Sequence, residues 1–170
     1  MASLMRLFRR EEPIAQTLYS AAVAKARGRD WFIAGEVPDT LEGRFSMLAT
    51  LLALIDIRLE RGGEQARLVS VSLAEAFVAD MDAQHRQLGT GDPVMGKKVG
   101  GLVGALGGRV GAWRRAIDGA ESWSAVAERS VFRGAAPNAD ALEFVERRLR
   151  EFWAALEGSS DERLIAGQLP

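Results

Sequence analysis

The chain has 170 residues, 48% of them hydrophobic and 26% charged, with a formal net charge of -1, which fits one soluble-type domain with a substantial core. That near-neutral balance gives no bulk attraction to nucleic acid or to an anionic membrane. The absence of cysteine and the single histidine, His85, exclude disulfides, thiolate metal sites, a cysteine nucleophile and paired-histidine zinc sites.

Met1 to Arg10 (MASLMRLFRR) lacks the apolar core and cleavage site of a signal peptide. Leu4, Met5, Leu7 and Phe8 set against Arg6, Arg9 and Arg10 make residues 1–12 either a flexible segment or one that lies on a membrane surface. Residues 13–158 read as the helical domain. Pro13 suits the first position of a helix whose stripe, Ile14, Leu18, Ala22 and Ala26, stops at Gly28. Asp30 to Val37 reads as an ordered loop. Asp39 is placed to cap the next helix, with Glu42 in the capping-box position. Two adjoining stripes, Phe45, Leu48, Leu52, Ile55 and Leu59 beside Met47, Leu51 and Leu54, make that helix the centre of the core. Gly62-Gly63 ends it.

A third helix is expected from Glu64 to Leu88, with Leu73, Phe77, Met81 and Leu88 on one face. Gln84 falls within that stripe, Asp80 on its edge, and Asp82 points away. After a turn at Gly89–Pro93, a fourth helix carries Val99, Leu102, Leu106, Val110, Trp113 and Ile117. A shorter one spans Ser122 to Phe132. Asn138 caps the last, whose stripe is Leu142, Val145, Leu149, Phe152 and Leu156, with Gly158 at its end. Residues 159–170 read as a flexible tail. No alternating strand pattern or internal repeat occurs, so the expected class is all-α, a single compact domain of about six helices.

On the fourth helix Gly100, Gly101, Gly104, Gly107, Gly108 and Gly111 gather opposite the apolar stripe. Each interior glycine costs about 1 kcal/mol relative to alanine, so the face calls for a compensating close approach. An internal helix, another chain, or a broken helix would each account for it.

Catalytic signatures are missing. The glycines follow no strand, so neither a dinucleotide fingerprint nor a P-loop is credible. Asp80 and Asp82 diverge on their helix, and Ser70 and Ser72 have no histidine partner by spacing. No catalytic, metal-binding or cofactor-binding residue is assigned, and a non-catalytic role is expected. Asp80, half-buried by position, needs a partner, and Arg44 is the candidate. Asp92 holds the Gly91–Pro93 turn or caps the next helix. Lys97, Lys98, Arg109, Arg114 and Arg115 read as a solvated basic face, or as a patch for RNA or lipid phosphate.

At these residues the chain resembles the ubiquinol–cytochrome c chaperone family, assembly factors for cytochrome b of respiratory complex III. The matching segments are Val37-Pro38-Asp39-Thr40-x-x-Gly43-Arg44-Phe45, Phe77 through Asp80-Met81-Asp82, Gly91-Asp92, and Val94-x-Gly96-Lys97-Lys98-Val99, with Ala127 to Phe132 fitting loosely. The resemblance covers approximately Arg27 to Leu156 and is carried by the order and spacing of the segments. It implies an α-helical protein without enzyme activity, whose client is newly made cytochrome b. A small helical partner, the ribosome and peripheral contact with the inner membrane are implied as further partners, and DNA is not. No mitochondrial transit peptide is recognised, which implies a bacterial-type member acting in the cytoplasm or on the cytoplasmic face of the inner membrane. Candidate partner-binding residues are the motif positions Pro38, Asp39, Gly43, Arg44, Phe45, Asp80, Asp82, Gly91, Asp92, Lys97 and Lys98, with Gly100, Gly104 and Gly108 from the glycine face. That face is richer in glycine than the resemblance leads one to expect. Two other classes compete: an RNA- or ribosome-binding module using the basic fourth helix, and a peripheral lipid-binding protein using the N-terminal segment.

Overall fold

The computed structural model describes the backbone of residues 2–87 and 95–170, and the side chains of residues 14–84, 86–87 and 100–170. Eight α-helices and no strands occur among the described residues: α1 (Ala2–Ala26), α2 (Arg29–Ile33), α3 (Leu41–Glu60), α4 (Glu64–Gln87), α5 (Met95–Ile117), α6 (Trp123–Phe132), α7 (Ala139–Glu157) and α8 (Asp161–Ile165).

The bundle is organised around α3. Thirteen of its 20 residues are buried, so no face is left to solvent beyond its ends. It packs against α1, α4, α5, α6 and α7, as its double apolar stripe requires. The remaining long helices each bury one face against it or its neighbours. In α7, Val145, Leu149, Phe152, Trp153 and Leu156 face inward while its arginines and glutamates pair on the outside. Trp113 of α5 and Trp123 of α6 meet at 5.2 Å between ring centroids and close the base of the bundle.

Several local expectations change. The helical backbone begins at Ala2, so Pro13 lies within α1 instead of opening it. One missing N–H does not end a helix whose turns form on both sides. The Asp30–Val37 segment contains the short helix α2, held by Trp31, whose indole N–H donates to the Lys25 carbonyl at 3.1 Å. The cap of α3 is Thr40, not Asp39: its hydroxyl accepts the Gly43 N–H at 3.1 Å. Asn138 caps α7 as expected, while Ser122, read from the sequence as the first residue of the shorter helix, is the cap of α6.

The expected loose tail is packed. Ser160 caps α8, and Leu164 is fully buried. Arg58, on α3, donates to the Leu156 carbonyl at 3.0 Å, the Ser159 carbonyl at 2.6 Å and the Asp161 carboxylate at 2.9 Å. Asp161 also accepts the Gly63 N–H at 2.8 Å. That backbone bond, and then Arg58, hold the Asp161 carboxyl below the usual carboxylate range. Hydropathy alone misses this docking because Leu164, the partly buried Ile165 and Leu169, and one polar cluster provide it without a helical stripe.

Candidate functional site

A cleft of about 550 Å³ opens between α1, α3, α4, α5 and the end of α6. Its apolar wall is Val23, Leu41, Phe45, Leu48, Met81 and Leu102. Leu41, in the first turn of α3, stands 61% exposed at the rim, where it continues the apolar wall of Phe45 and Leu48 to the surface. Phe45 leans on the buried Phe77 ring at 5.8 Å, which fixes it as wall and not as a mobile lid.

Four arginines and two carboxylates share the cleft: Arg27, Arg44, Arg109 and Arg133 with Glu42 and Asp80. Arg44 pairs with Asp39 at 2.7 Å, and both side chains are more than half exposed. The expected Arg44–Asp80 pair therefore does not form. Asp39 lies one helical turn back on the same side, and an exposed local partner costs Arg44 no desolvation. Asp80 instead accepts the Tyr19 hydroxyl at 2.6 Å and the Gln84 amide at 3.1 Å. Burial first, then the bond to Asp80, push the Tyr19 pKa up, so the phenol keeps its proton. Arg133 pairs with Glu42 across the mouth. Its backbone is left-handed, with φ of 57°, where it ends α6.

Arg109 differs from the rest. It rises from α5 on the core side, two turns along from Leu102, and is not part of a solvated face. Its guanidinium stacks 5.5 Å from the Phe45 ring centroid. It donates to the Ala105 carbonyl at 3.3 Å, the Ser130 carbonyl at 3.1 Å and the Ser46 hydroxyl at 3.5 Å. Its Nε is buried without a partner. Burial, and then the neighbouring Arg133 charge, push its pKa down. Arg114 and Arg115, read from the sequence as part of the same basic patch, pair with Glu60 and Glu121. The patch is thus divided between an inward cation and two neutralised ones.

Other expected site residues fall elsewhere. Gly43 sits under the cleft: a Cβ there would come within 1.9 Å of the Pro38 carbonyl oxygen, so the turn before α3 admits only glycine. Asp82 pairs with Arg86 at 3.0 Å on a separate trough between α3, α4 and α5, with Asp56, Glu60, Val71 and Val103. Gly91 and Asp92 lie outside the described residues, as do the Lys97 and Lys98 side chains. The helix α5 is continuous through Gly100, Gly104 and Gly108, and a Cβ at any of the three would meet nothing within 4 Å. Among the described residues nothing packs on these glycines, so no described helix supplies the internal partner that the sequence offered as one account of that face. The cleft unites Arg44, Phe45 and Asp80 of the expected set and adds Leu41, Met81, Leu102, Arg109 and Arg133.

Among the described residues no helix is long and apolar enough to cross a membrane. The family model described as Ubiquinol-cytochrome C chaperone matches residues 34–169. The structure is similar to the crystal structure of the Cbp3 homolog from Brucella abortus, with a TM-score of 0.81 and 28% sequence identity. The match covers 98% of this chain and 94% of that one. No curated protein matches at a significant level.

Proposed function

We propose that this chain, which belongs to the ubiquinol–cytochrome C chaperone family, is a non-catalytic assembly factor that binds newly made cytochrome b and supports assembly of respiratory complex III. The family supplies the chaperone role, and the cleft supplies a means of performing it. The observation that carries the reading is the open, largely apolar cleft whose rim leucine, Leu41, is exposed beside Phe45 and Leu102. An unassembled polytopic protein exposes aliphatic surface that has no partner until its complex forms, and a fixed apolar cleft covers such surface without consuming energy. Because Phe45 leans on Phe77 and Ser46, Met47 and Leu48 are buried behind it, the inner part of this wall is held in place, and binding costs little ordering there.

The test is a photo-cross-link from inside the living cell. Leu41→p-benzoylphenylalanine should yield a cytochrome b adduct during synthesis of the respiratory chain, and Val71→p-benzoylphenylalanine, on the other trough, should not. Adducts with unrelated proteins only, at both positions, would overturn the reading.

A further inference from the structure

We infer that the cleft reads a carboxylate: the client segment seated in it presents an aspartate or glutamate to Arg109 while its aliphatic side chains cover Phe45 and Leu102. The inference rests on the client-binding reading of the cleft.

Two of the described arginines are withdrawn into the bundle, and they are treated differently. Arg58, whose side chain is 13% exposed, meets the Asp161 carboxylate. Arg109 meets only neutral oxygens, and no carboxylate pairs with it among the described residues. Taking a cation out of water without a counter-charge is costly. Three hydrogen bonds to neutral oxygens and the Phe45 ring offset part of that cost. The positive charge still has no counter-charge among the described residues.

The neighbouring acids do not fill the gap. Glu42 is engaged by Arg133, and one Asp80 oxygen takes bonds from both Tyr19 and Gln84. With Asp39, the partner of Arg44, counted beside the two lining carboxylates, four arginines still exceed three carboxylates, so the cleft favours an acidic segment over a basic one. The guanidinium has five N–H groups, and its terminal nitrogens carry two each. Nη1 makes one bond, to the Ala105 carbonyl, so it retains a hydrogen for an incoming oxygen. The shut-in Nε does not take part. The Phe45 ring beneath the guanidinium places the aliphatic contact and the ionic contact side by side.

The experiment maps the adduct formed from Leu41→p-benzoylphenylalanine by mass spectrometry and repeats it with charge changes. The expected adduct lies within a few residues of an Asp or Glu of cytochrome b. Changing that acid to its amide should lower adduct yield at least about tenfold with the native chaperone, and little in an Arg109→Gln background. Arg109→Lys, which keeps the charge, should retain most of the yield. The client-side substitution leaves the chaperone untouched, so a folding defect of Arg109→Gln cannot mimic the result. A cytochrome b adduct far from any carboxylate, or one indifferent to the acid-to-amide change, would overturn this inference and leave the chaperone reading standing. An adduct with lipid, or none with cytochrome b, would overturn both.

Discussion

Tyr19 of α1 donates its hydroxyl hydrogen to Asp80 of α4 at 2.6 Å, joining two helices 61 positions apart at the edge of the cleft. The phenol is nearly fully buried, and Gln84 supplies the second donor to the same oxygen. This contact replaces the ion pair that position alone suggested for Asp80. Tyr19→Phe should cost about 1.5–3 kcal/mol, the range for a hydrogen bond to a charged group. Asp80→Ala should cost at least as much, because it removes the Gln84 bond as well, and the double variant little more than Asp80→Ala, because the Tyr19 bond is common to both. Arg44→Ala should barely move the melting temperature. A large loss for Arg44→Ala with none for Tyr19→Phe would reverse the assignment.

Two glycines make opposite predictions. Gly43→Ala gains helix propensity but drives a methyl group into the Pro38 carbonyl, so it should destabilise by at least about 1–3 kcal/mol. Gly104→Ala meets open space and should stabilise by up to about 1 kcal/mol. Gly104→Leu should likewise keep or raise stability, since nothing in the fold opposes it. Urea denaturation of the three variants decides the matter. Destabilisation by Gly104→Leu would mean the face is buried after all.

Arg133 holds a left-handed backbone conformation that costs a side-chain-bearing residue about 1 kcal/mol and glycine almost nothing. The residue is retained at the cleft mouth against that cost, paired with Glu42. Arg133→Gly should therefore leave stability unchanged or raise it by up to about 1 kcal/mol, while lowering the Leu41 cross-link to the client. Equal cross-linking in the two forms would make Arg133 an incidental helix end.

Burial raises the Asp56 pKa, opposed by the Ser70 hydroxyl that donates to it, with Glu60 adding to the rise and Arg114 opposing it. A carboxyl whose folded pKa is raised contributes stability that is present below its unfolded pKa and lost as pH rises through the folded value. Asp56→Asn should then stabilise the protein at pH 7, and the gain should fade as pH falls through the raised folded value and be gone below about 4. Asp161 has the opposite sign. Its lowered pKa gives stability that is present at neutral pH and lost as pH falls through the folded value, so Asp161→Asn should destabilise at pH 7 and matter less in acid. Thermal melts of both variants across pH 3–8 test the two signs.

Periodicity made the long helices legible. The double stripe from Phe45 to Leu59 located the central helix, and Asn138 marked a cap through its own side-chain amide. What escaped was set by distance in sequence. The docking of α8 depends on Arg58 meeting Asp161, 103 positions away, and no local pattern encodes that. Tyr19 meeting Asp80 is of the same kind. Arg109 was legible in principle: it stands on the same stripe as Leu102, but a charged residue among Arg114 and Arg115 reads as part of a solvated face. The motif segments around Phe45 and Asp80, on α3 and α4, located one wall of the cleft, while Leu102 and Arg109 of α5 and Arg133 at the end of α6, on the opposite wall, fall outside the motif segments.

The central claim is that this chain supports accumulation of cytochrome b. The direct measurement is the reduced-minus-oxidised haem spectrum of membranes from a deletion strain, with and without the gene restored. The account predicts a lowered haem b signal and lowered complex III activity, other respiratory complexes largely intact, and recovery on restoring the gene. Haem b and complex III at unchanged levels in the deletion strain would contradict it.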